Sequence, residues 1–499
     1  MRRLFVVSAV AAVTVALLAL PASAMAASPL QISTDPFTNP LSQHRTEVEP
    51  DTFAWGNTWV STFQVGRVFN GGAADIGFAT SRNGGATFTS GFLPGTTTAV
   101  VPAGIYPRVS DPSVAYDAKH GVWLISFLGL FPHENGNVVD VLVSRSTDGI
   151  TWSNPIAVAA NGASYDKNWT VCDNTSTSPF YGHCYTEFDN FTSFDLEQMS
   201  TSTDGGLTWG PPLATANHVR GIGGQPVVQP NGTVIVPFQG FSDIALFIRS
   251  FRSTNGGASW SSSVTVSELR AHNPHGDLRS VQFPSAETDR SGKVYVTWSD
   301  CRFEAGCTSA FNNVPNDLVL STSTDGLSWS PPARIPLDPV GSGVDHFLPG
   351  LGVNPSTSGG SAQLGLVYYY YPSFNCTTST CRLDVGFSSS RDGGATWTSG
   401  TRLAGPMRLP WLPLTSQGYM VGDYFSTSFL GGRAYPAFAV ARPPSSGGSR
   451  CIEATPNCNE PMFTVAGGIG SSGATSPAVR ARHSSVRAGR TRIAVPRAH

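Results

Sequence analysis

Charge is scarce in this sequence: only 13% of its 499 residues are Asp, Glu, Lys or Arg. Positive charge is scarcest in its body. The 31 Lys plus Arg and 33 Asp plus Glu give a net charge of −2. Arg2, Arg3, Arg480, Arg482, Arg487, Arg490, Arg492 and Arg497 all lie in the two ends, 1–27 and 466–499, which contain no acid. Without those eight cations the body holds 23 against 33 acids, a net −10. Such a body excludes binding to a phosphate backbone as the main task. After residue 20 there is no apolar run long enough to span a bilayer. No two cysteines are spaced CxxC, which leaves the usual zinc knuckle without its ligand pairs. The Gly-rich stretch Gly221-Ile222-Gly223-Gly224 lacks the strand, loop and helix setting of a nucleotide site. No metal, nucleotide or other cofactor is expected.

What is abundant points to strands. The chain holds 53 Gly, 37 Pro and 28 Phe, which suit many short strands and turns better than long helices. Residues 1–27 read as a secretory signal: a basic start at Arg2 and Arg3, an apolar stretch from Leu4 to Leu20, and small-residue cleavage patterns at Ala22-Ser23-Ala24 and Ala24-Met25-Ala26. The mature protein is therefore expected outside the cell, as a soluble monomer. Eight cysteines fall into near neighbours, so the simplest pairing is Cys172 with Cys184, Cys301 with Cys307, Cys376 with Cys381 and Cys451 with Cys458.

One short pattern recurs six times: Ser81 to Phe88, Ser146 to Trp152, Ser202 to Trp209, Ser253 to Trp260, Ser323 to Trp329 and Ser390 to Trp397. Its elements are a Ser, then Asp or Asn two residues on (Asn83, Asp148, Asp204, Asn255, Asp325, Asp392), Gly, a Thr or Ser, and an aromatic ring. The starts are 65, 56, 51, 70 and 67 residues apart, the length of a four-stranded propeller blade with its loops. Each element has a local task. Asp or Asn accepts backbone N–H bonds in a tight turn, Gly takes positive φ, and the ring packs between sheets.

These segments resemble the Asp-box, or bacterial neuraminidase repeat, of sialidases and related β-propellers. The resemblance implies an all-β, sialidase-like propeller over residues 28–465, of six or seven four-stranded blades, with a disordered basic tail over 466–499. Seven blades are favoured. Strands expected at Tyr424 to Phe429, Ala434 to Val440 and Met462 to Val465 form a last unit without a box, and Leu30 to Thr34 supplies its fourth strand by joining the two chain ends. In each unit the fourth strand is expected to begin at the aromatic of the box.

Ligands of propellers bind where the innermost strands converge, so the residues opening each such strand are the candidates. They are Arg45 with Glu47 and Glu49, Arg108 with Asp111, Asp166 with Lys167, Arg220, Arg279, Asp345 with His346, and Asp423 with Tyr424. The resemblance implies an exo-α-sialidase type of glycoside hydrolase acting on extracellular glycans. That chemistry needs guanidinium groups to hold a carboxylate, a Tyr nucleophile with an activating carboxylate, and a carboxylic acid for the leaving group. Arg45, Arg220 and Arg279 are candidates for the arginine cluster, Asp111 for the acid, Glu187 for the base and Tyr424 for the nucleophile. Arg108, Asp166, Asp345, His346 and Asp423 complete the expected substrate-binding set. The sequence departs from the family where Gln43-His44-Arg45-Thr46-Glu47 stands in place of a Phe- or Tyr-Arg-Ile-Pro motif. A non-catalytic glycan- or protein-binding propeller and a polysaccharide lyase are the alternative readings. His272-Asn273-Pro274-His275-Gly276-Asp277 is expected to be an ordinary exposed turn, and Tyr368 to Tyr371 a strand packed on both faces.

Overall fold

The computed structural model describes residues 28–133, 136–242, 245–308, 313–445, 450–451, 458–470 and 475–480. The expected signal segment 1–27 and residues 481–499 of the expected tail lie outside them. The chain is all-β. It runs as a succession of antiparallel meanders, each built of neighbouring strands that alternate or run apolar.

The first meander comprises Glu47–Trp55, Thr58–Arg67, Ala73–Ser81 and Thr89–Phe92, and the second Arg108–Asp117, Val122–His133, Gly136–Ser146 and Ile156–Ala159. A single pairing, Ala73 with Val109, links the two into one sheet. The third holds Tyr165–Cys172, Cys184–Asn190, Leu196–Ser202 and Leu213–Ala214. In the fourth, the broken first strand Gly221–Ile222 and Val227–Val228 precedes Val234–Phe241, Leu246–Ser253 and Val264–Glu268. The fifth is Ser285–Thr288, Val294–Asp300, Asp317–Ser323 and Ala333–Arg334, and the sixth Asp345–Val353, Leu364–Tyr371, Leu383–Ser390 and Thr401–Met407. The last joins Ser426–Leu430, Arg433–Ala439 and Met462–Val465 to Pro29–Gln31 from the start of the described chain. The pairing of the two chain ends is the one expected. Past residue 465 the chain adds short edge strands: Thr475–Pro477 pairs with Thr396–Thr398, and Val479–Arg480 with Ala333–Arg334.

All six repeats occupy the turn between third and fourth strands, and their hydrogen bonds explain the residue choice. The Ser hydroxyl donates to the Asp or Asn side chain over 2.8–3.1 Å in each. The same hydroxyl accepts a Gly N–H at 2.8–3.0 Å. The carboxylate or amide oxygen then accepts the N–H of the following Thr or Ser. The second Gly of the turn sits at positive φ, as in Gly394 at +84°, where a Cβ would meet the Leu320 side chain. The aromatic rings pack between meanders: Trp152 lies 5.8 Å from Phe78 of the first, and Trp260 6.2 Å from Tyr185 of the third. In most units the fourth strand starts some residues beyond the ring. After the ring come Asn154-Pro155, Pro211-Pro212 or Pro331-Pro332, and proline has no N–H for the ladder.

All four disulfides join the expected neighbours: Cys172–Cys184, Cys301–Cys307, Cys376–Cys381 and Cys451–Cys458. Among the described residues no helix is long and apolar enough to cross a membrane.

Candidate functional site

The site is made by a recurring backbone irregularity. Four first strands carry a register shift, between Val48 and Asp51, Ser110 and Ser113, Asp166 and Trp169, and Phe347 and Gly350. Inside each, a non-glycine residue takes left-handed φ: Glu49 at 56°, Asp111 at 48°, Lys167 at 51° and Leu348 at 52°. Such a bulge re-aims a side chain that the pleat would otherwise fix. Pro50, Pro112 and Pro349 follow three of the four, so no N–H is left unpaired there. Each left-handed non-glycine residue costs on the order of 1–3 kcal/mol, and such positions gather at functional sites.

Three of the four bulge residues are charged, and they meet. The Lys167 ammonium donates to Asp111 Oδ1 at 2.5 Å and Asp423 Oδ2 at 2.8 Å, and stands 3.5 Å from Glu49 Oε1. Arg279 grips Asp423 with two donors, Nε to Oδ1 at 2.8 Å and Nη2 to Oδ2. Gln64 donates to Glu49, and Arg67 Nη1 to Gln64 Oε1 at 2.8 Å. All these side chains are buried. The connection into the last meander is pinned beside them. Ser416 N donates to Phe69 O, Arg279 N to Tyr419 O and Glu49 N to Val421 O, while Gln43 Nε2 reaches Leu414 O.

Burial, reinforced by the Asp111 charge, pushes Glu49 up to about 8, and burial raises Asp166 to about 7. Burial also opposes the charges of Lys167 and Asp423. For Lys167 the carboxylates of Asp111, Asp423 and Glu49 outweigh it, holding the ammonium well above its ordinary value. For Asp423 the cations Arg279 and Lys167 win and hold the carboxyl far below its ordinary range. Burial takes Arg67 down to about 10. Three cations, Arg67, Lys167 and Arg279, thus stand among four acids, Glu49, Asp111, Asp166 and Asp423, in an otherwise acidic body. One Arg279 donor, Nη1, has no hydrogen-bond partner among the described residues.

The expected arginine cluster does not assemble. Of Arg45, Arg220 and Arg279, only Arg279 lines this pocket. Arg45 is exposed and donates to Ser445 Oγ at 2.9 Å, and Arg220 is exposed against Phe194 and Phe241, donating to Phe194 O. Arg108 donates to Gly71 O at 2.7 Å and Asn70 O at 3.2 Å, a loop anchor. Arg67 and Lys167 stand where two more arginines were expected. Asp111 does meet Lys167, Asp166 lines the same pocket, and Asp423 is central. Tyr424 is buried, donates its hydroxyl to Pro112 O at 3.1 Å, and is raised further above its ordinary range by burial and then by Glu49 and Asp111. Glu187 is buried on the second strand of the third meander, where burial and Glu197 raise it; it accepts Gly224 N at 3.2 Å.

His272 corrects the expectation of an exposed turn. It is buried, with Nε2 3.0 Å from Asp345 Oδ1, while Asp277 at the other end of the segment is exposed. His346 stacks against Tyr370 and meets Tyr368 edge to face, and burial lowers it. Its donor atom lies within 4.8 Å of those of Asp317 and Asp338, a grouping with metal-ligand spacing. Arg334 already bridges those two carboxylates at 2.8 Å each, so a cation is in place without a metal. Tyr368, Tyr369 and Tyr371 are buried, as expected of a packed strand.

Arg67 was missed because it ends a second strand, while the candidates, Glu187 apart, were taken from the openings of first strands. The signal available was the repeated charged residue before proline at Glu49 and Asp111.

No protein-family model matches the sequence. Among solved structures the chain is similar to a leech intramolecular trans-sialidase, at 12% identity over 69% of this chain and 67% of that one, with a TM-score of 0.44. It is also similar to an ulvan lyase of polysaccharide lyase family PL25, at 11% identity over 90% and 97%, with a TM-score of 0.49. A third is Trypanosoma rangeli sialidase, at 9% identity over 88% and 58%, with a TM-score of 0.42.

Proposed function

We propose that this chain is a secreted, monomeric, carbohydrate-active propeller of sialidase-like type, hydrolysing an extracellular glycan at the mouth where its first strands begin. The seven meanders are read as blades of one ring and the six repeats as Asp-box turns. Supporting the ring, the first strands touch in cyclic order from the first meander round to the last and back. The four disulfides suit an oxidising exterior.

One observation carries the reading: Asp111, Lys167, Arg279 and Asp423, from four parts of the chain, share one buried cluster. In this proposal Arg279, Lys167 and Arg67 hold an anionic group of the substrate, Asp111 is the acid and Tyr424 the nucleophile. Release of sugar from a fluorogenic sialoside and from a panel of acidic glycans is the test. Loss of release in Arg279→Ala and Tyr424→Phe supports the roles; full activity in both sinks them.

A second reading is favoured by the closed pairing of Arg279 with Asp423 and of Tyr424 with Pro112. In it the cluster fastens the ring, and the protein binds glycan or protein without turnover. Retention on a glycan array with no product, including no unsaturated product absorbing in the ultraviolet as a lyase would give, selects it.

A further inference from the structure

Beyond the charged cluster, the axis of the molecule holds a second and larger space. A cavity of about 230 Å³ is lined by residues of every first strand, among them Asp51, Trp169, Glu287 and Phe429. It shares no lining residue with the charged pocket. Trp169, Phe283 and Tyr424 stand between the two, with the rings of Trp169 and Tyr424 5.2 Å apart and edge to face. The cavity reaches the surface at Trp55, which is 40% exposed and stacks on Tyr116 at 5.4 Å.

Its chemistry is the opposite of the mouth. No Lys, Arg or His lines it, and its ionisable groups are Asp51 and Glu287. Asp51 is fixed in orientation, Oδ1 accepting Thr52 N at 2.7 Å and Oδ2 accepting Val114 N at 2.8 Å. The protein surroundings of Glu287 and then the Asp51 carboxylate work against its charge, while the backbone amide of Thr288 favours it. Two carboxyl groups in one cavity, Asp51 buried and Glu287 half-buried, with no cation among the lining residues, are the arrangement that a cationic ligand relieves. The walls are aromatic: Phe53, Trp55, Trp169 and Phe429 present ring faces and edges of the kind that hold sugar C–H groups and ammonium groups. The volume falls just below the range of about 300–1,000 Å³ typical of drug-sized ligands, so it admits one small molecule and no polymer.

We propose that this cavity is a second ligand site, for a single sugar-sized molecule carrying a protonated amine, which Asp51 and Glu287 hold between aromatic walls. An anionic sugar finds no cation among the lining residues. The site is independent of the reaction assigned to the mouth.

Calorimetric titration of the full chain at neutral pH with glucosamine, glucose and N-acetylneuraminic acid tests it. Glucosamine is expected to bind about tenfold or more tighter than glucose, and N-acetylneuraminic acid not to bind in this cavity. Glu287→Gln and the surface variant Trp55→Ala should each weaken glucosamine about tenfold, while Arg45→Ala, an exposed side chain that does not line the cavity, leaves it unchanged. The proposal is overturned by absent glucosamine binding, by equal or tighter binding of glucose, or by full affinity in folded Glu287→Gln. Full affinity in folded Trp55→Ala would remove the ligand from this cavity and overturn it too. Failure of the sialoside assay leaves this outcome untouched, because that assay reads only the mouth.

Discussion

Lys167 and Asp423 are 256 positions apart in sequence and 2.8 Å apart in space, ammonium to carboxylate. Their pairing fastens the first strand of the third meander to the segment that enters the last. Asp111 and Glu49 complete the ring of acids around the ammonium, so one lysine satisfies three chain segments.

Removing that lysine should therefore cost far more than removing a surface cation. Lys167→Met leaves Asp111 and Asp423 buried with less compensation, and a loss of about 3–5 kcal/mol is expected for breaking a buried pair. Arg45→Ala, an exposed side chain, should stay within about 0.5 kcal/mol. Urea unfolding of the two variants measures the difference, and equal midpoints would refute a fastening role.

The repeated turns carry their own internal control. In the third, Asp204 accepts the N–H groups of Leu207 and Thr208 at 3.0 Å each and the Thr208 hydroxyl at 2.6 Å. Asp204→Ala should lower stability by about 1–2 kcal/mol, read as a drop in Tm. Asp204→Asn should lower it by less, since Asn83 and Asn255 fill the same place in two other turns and keep the oxygen acceptor.

Stability should fall as the pH rises through neutrality. Burial raises Glu287 to about 8 and Asp51 to about 7, whereas unfolded carboxyls titrate near 4. Between those values the native state binds more protons than the unfolded one, so this contribution is full below about pH 4 and is lost as the pH climbs through 7 to 8. The turn carboxylates run the other way. Burial tends to raise Asp148, Asp204 and Asp392, but their hydrogen bonds prevail and lower them, so their share is present above about pH 4 and lost below it. Thermal midpoints across pH 5 to 9 should decline, and Glu287→Gln should flatten the decline. An unchanged slope in that variant would rule out Glu287 as a source.

At the mouth, shape should matter as well as charge. Arg279 meets Asp423 through two donors of its fork, so Arg279→Lys keeps the charge and loses the geometry. On any acidic glycan that the protein turns over, kcat/KM should fall about tenfold or more in Arg279→Lys, equivalent to about 1.4 kcal/mol of lost transition-state binding. A parental kcat/KM would remove Arg279 from the substrate-holding role.

The sequence by itself determined the local structure: six turns, most of their flanking strands, four disulfides between near neighbours and the pairing of Pro29–Gln31 with Met462–Val465. Each is set by residues close together, or by an apolar strand left without a partner, and short-range hydrogen bonding leaves a readable spacing. Candidate positions were legible too, since Asp111, Asp166, Arg279 and Asp423 open first strands and do line or enter one cluster. What only the tertiary structure decided is which charges meet. Arg45, Arg220 and Arg279 are alike on paper. The bulges at Glu49, Asp111 and Lys167 turn those side chains to one another, and the strand end at Arg67 adds a cation the pattern did not mark. The pairing of Arg279 with Asp423, the capture of the Tyr424 hydroxyl by Pro112 and the acidic cavity between Asp51 and Glu287 all depend on segments far apart in the chain. Spacing along a strand records which face a residue occupies. It does not record which distant charge will be waiting there.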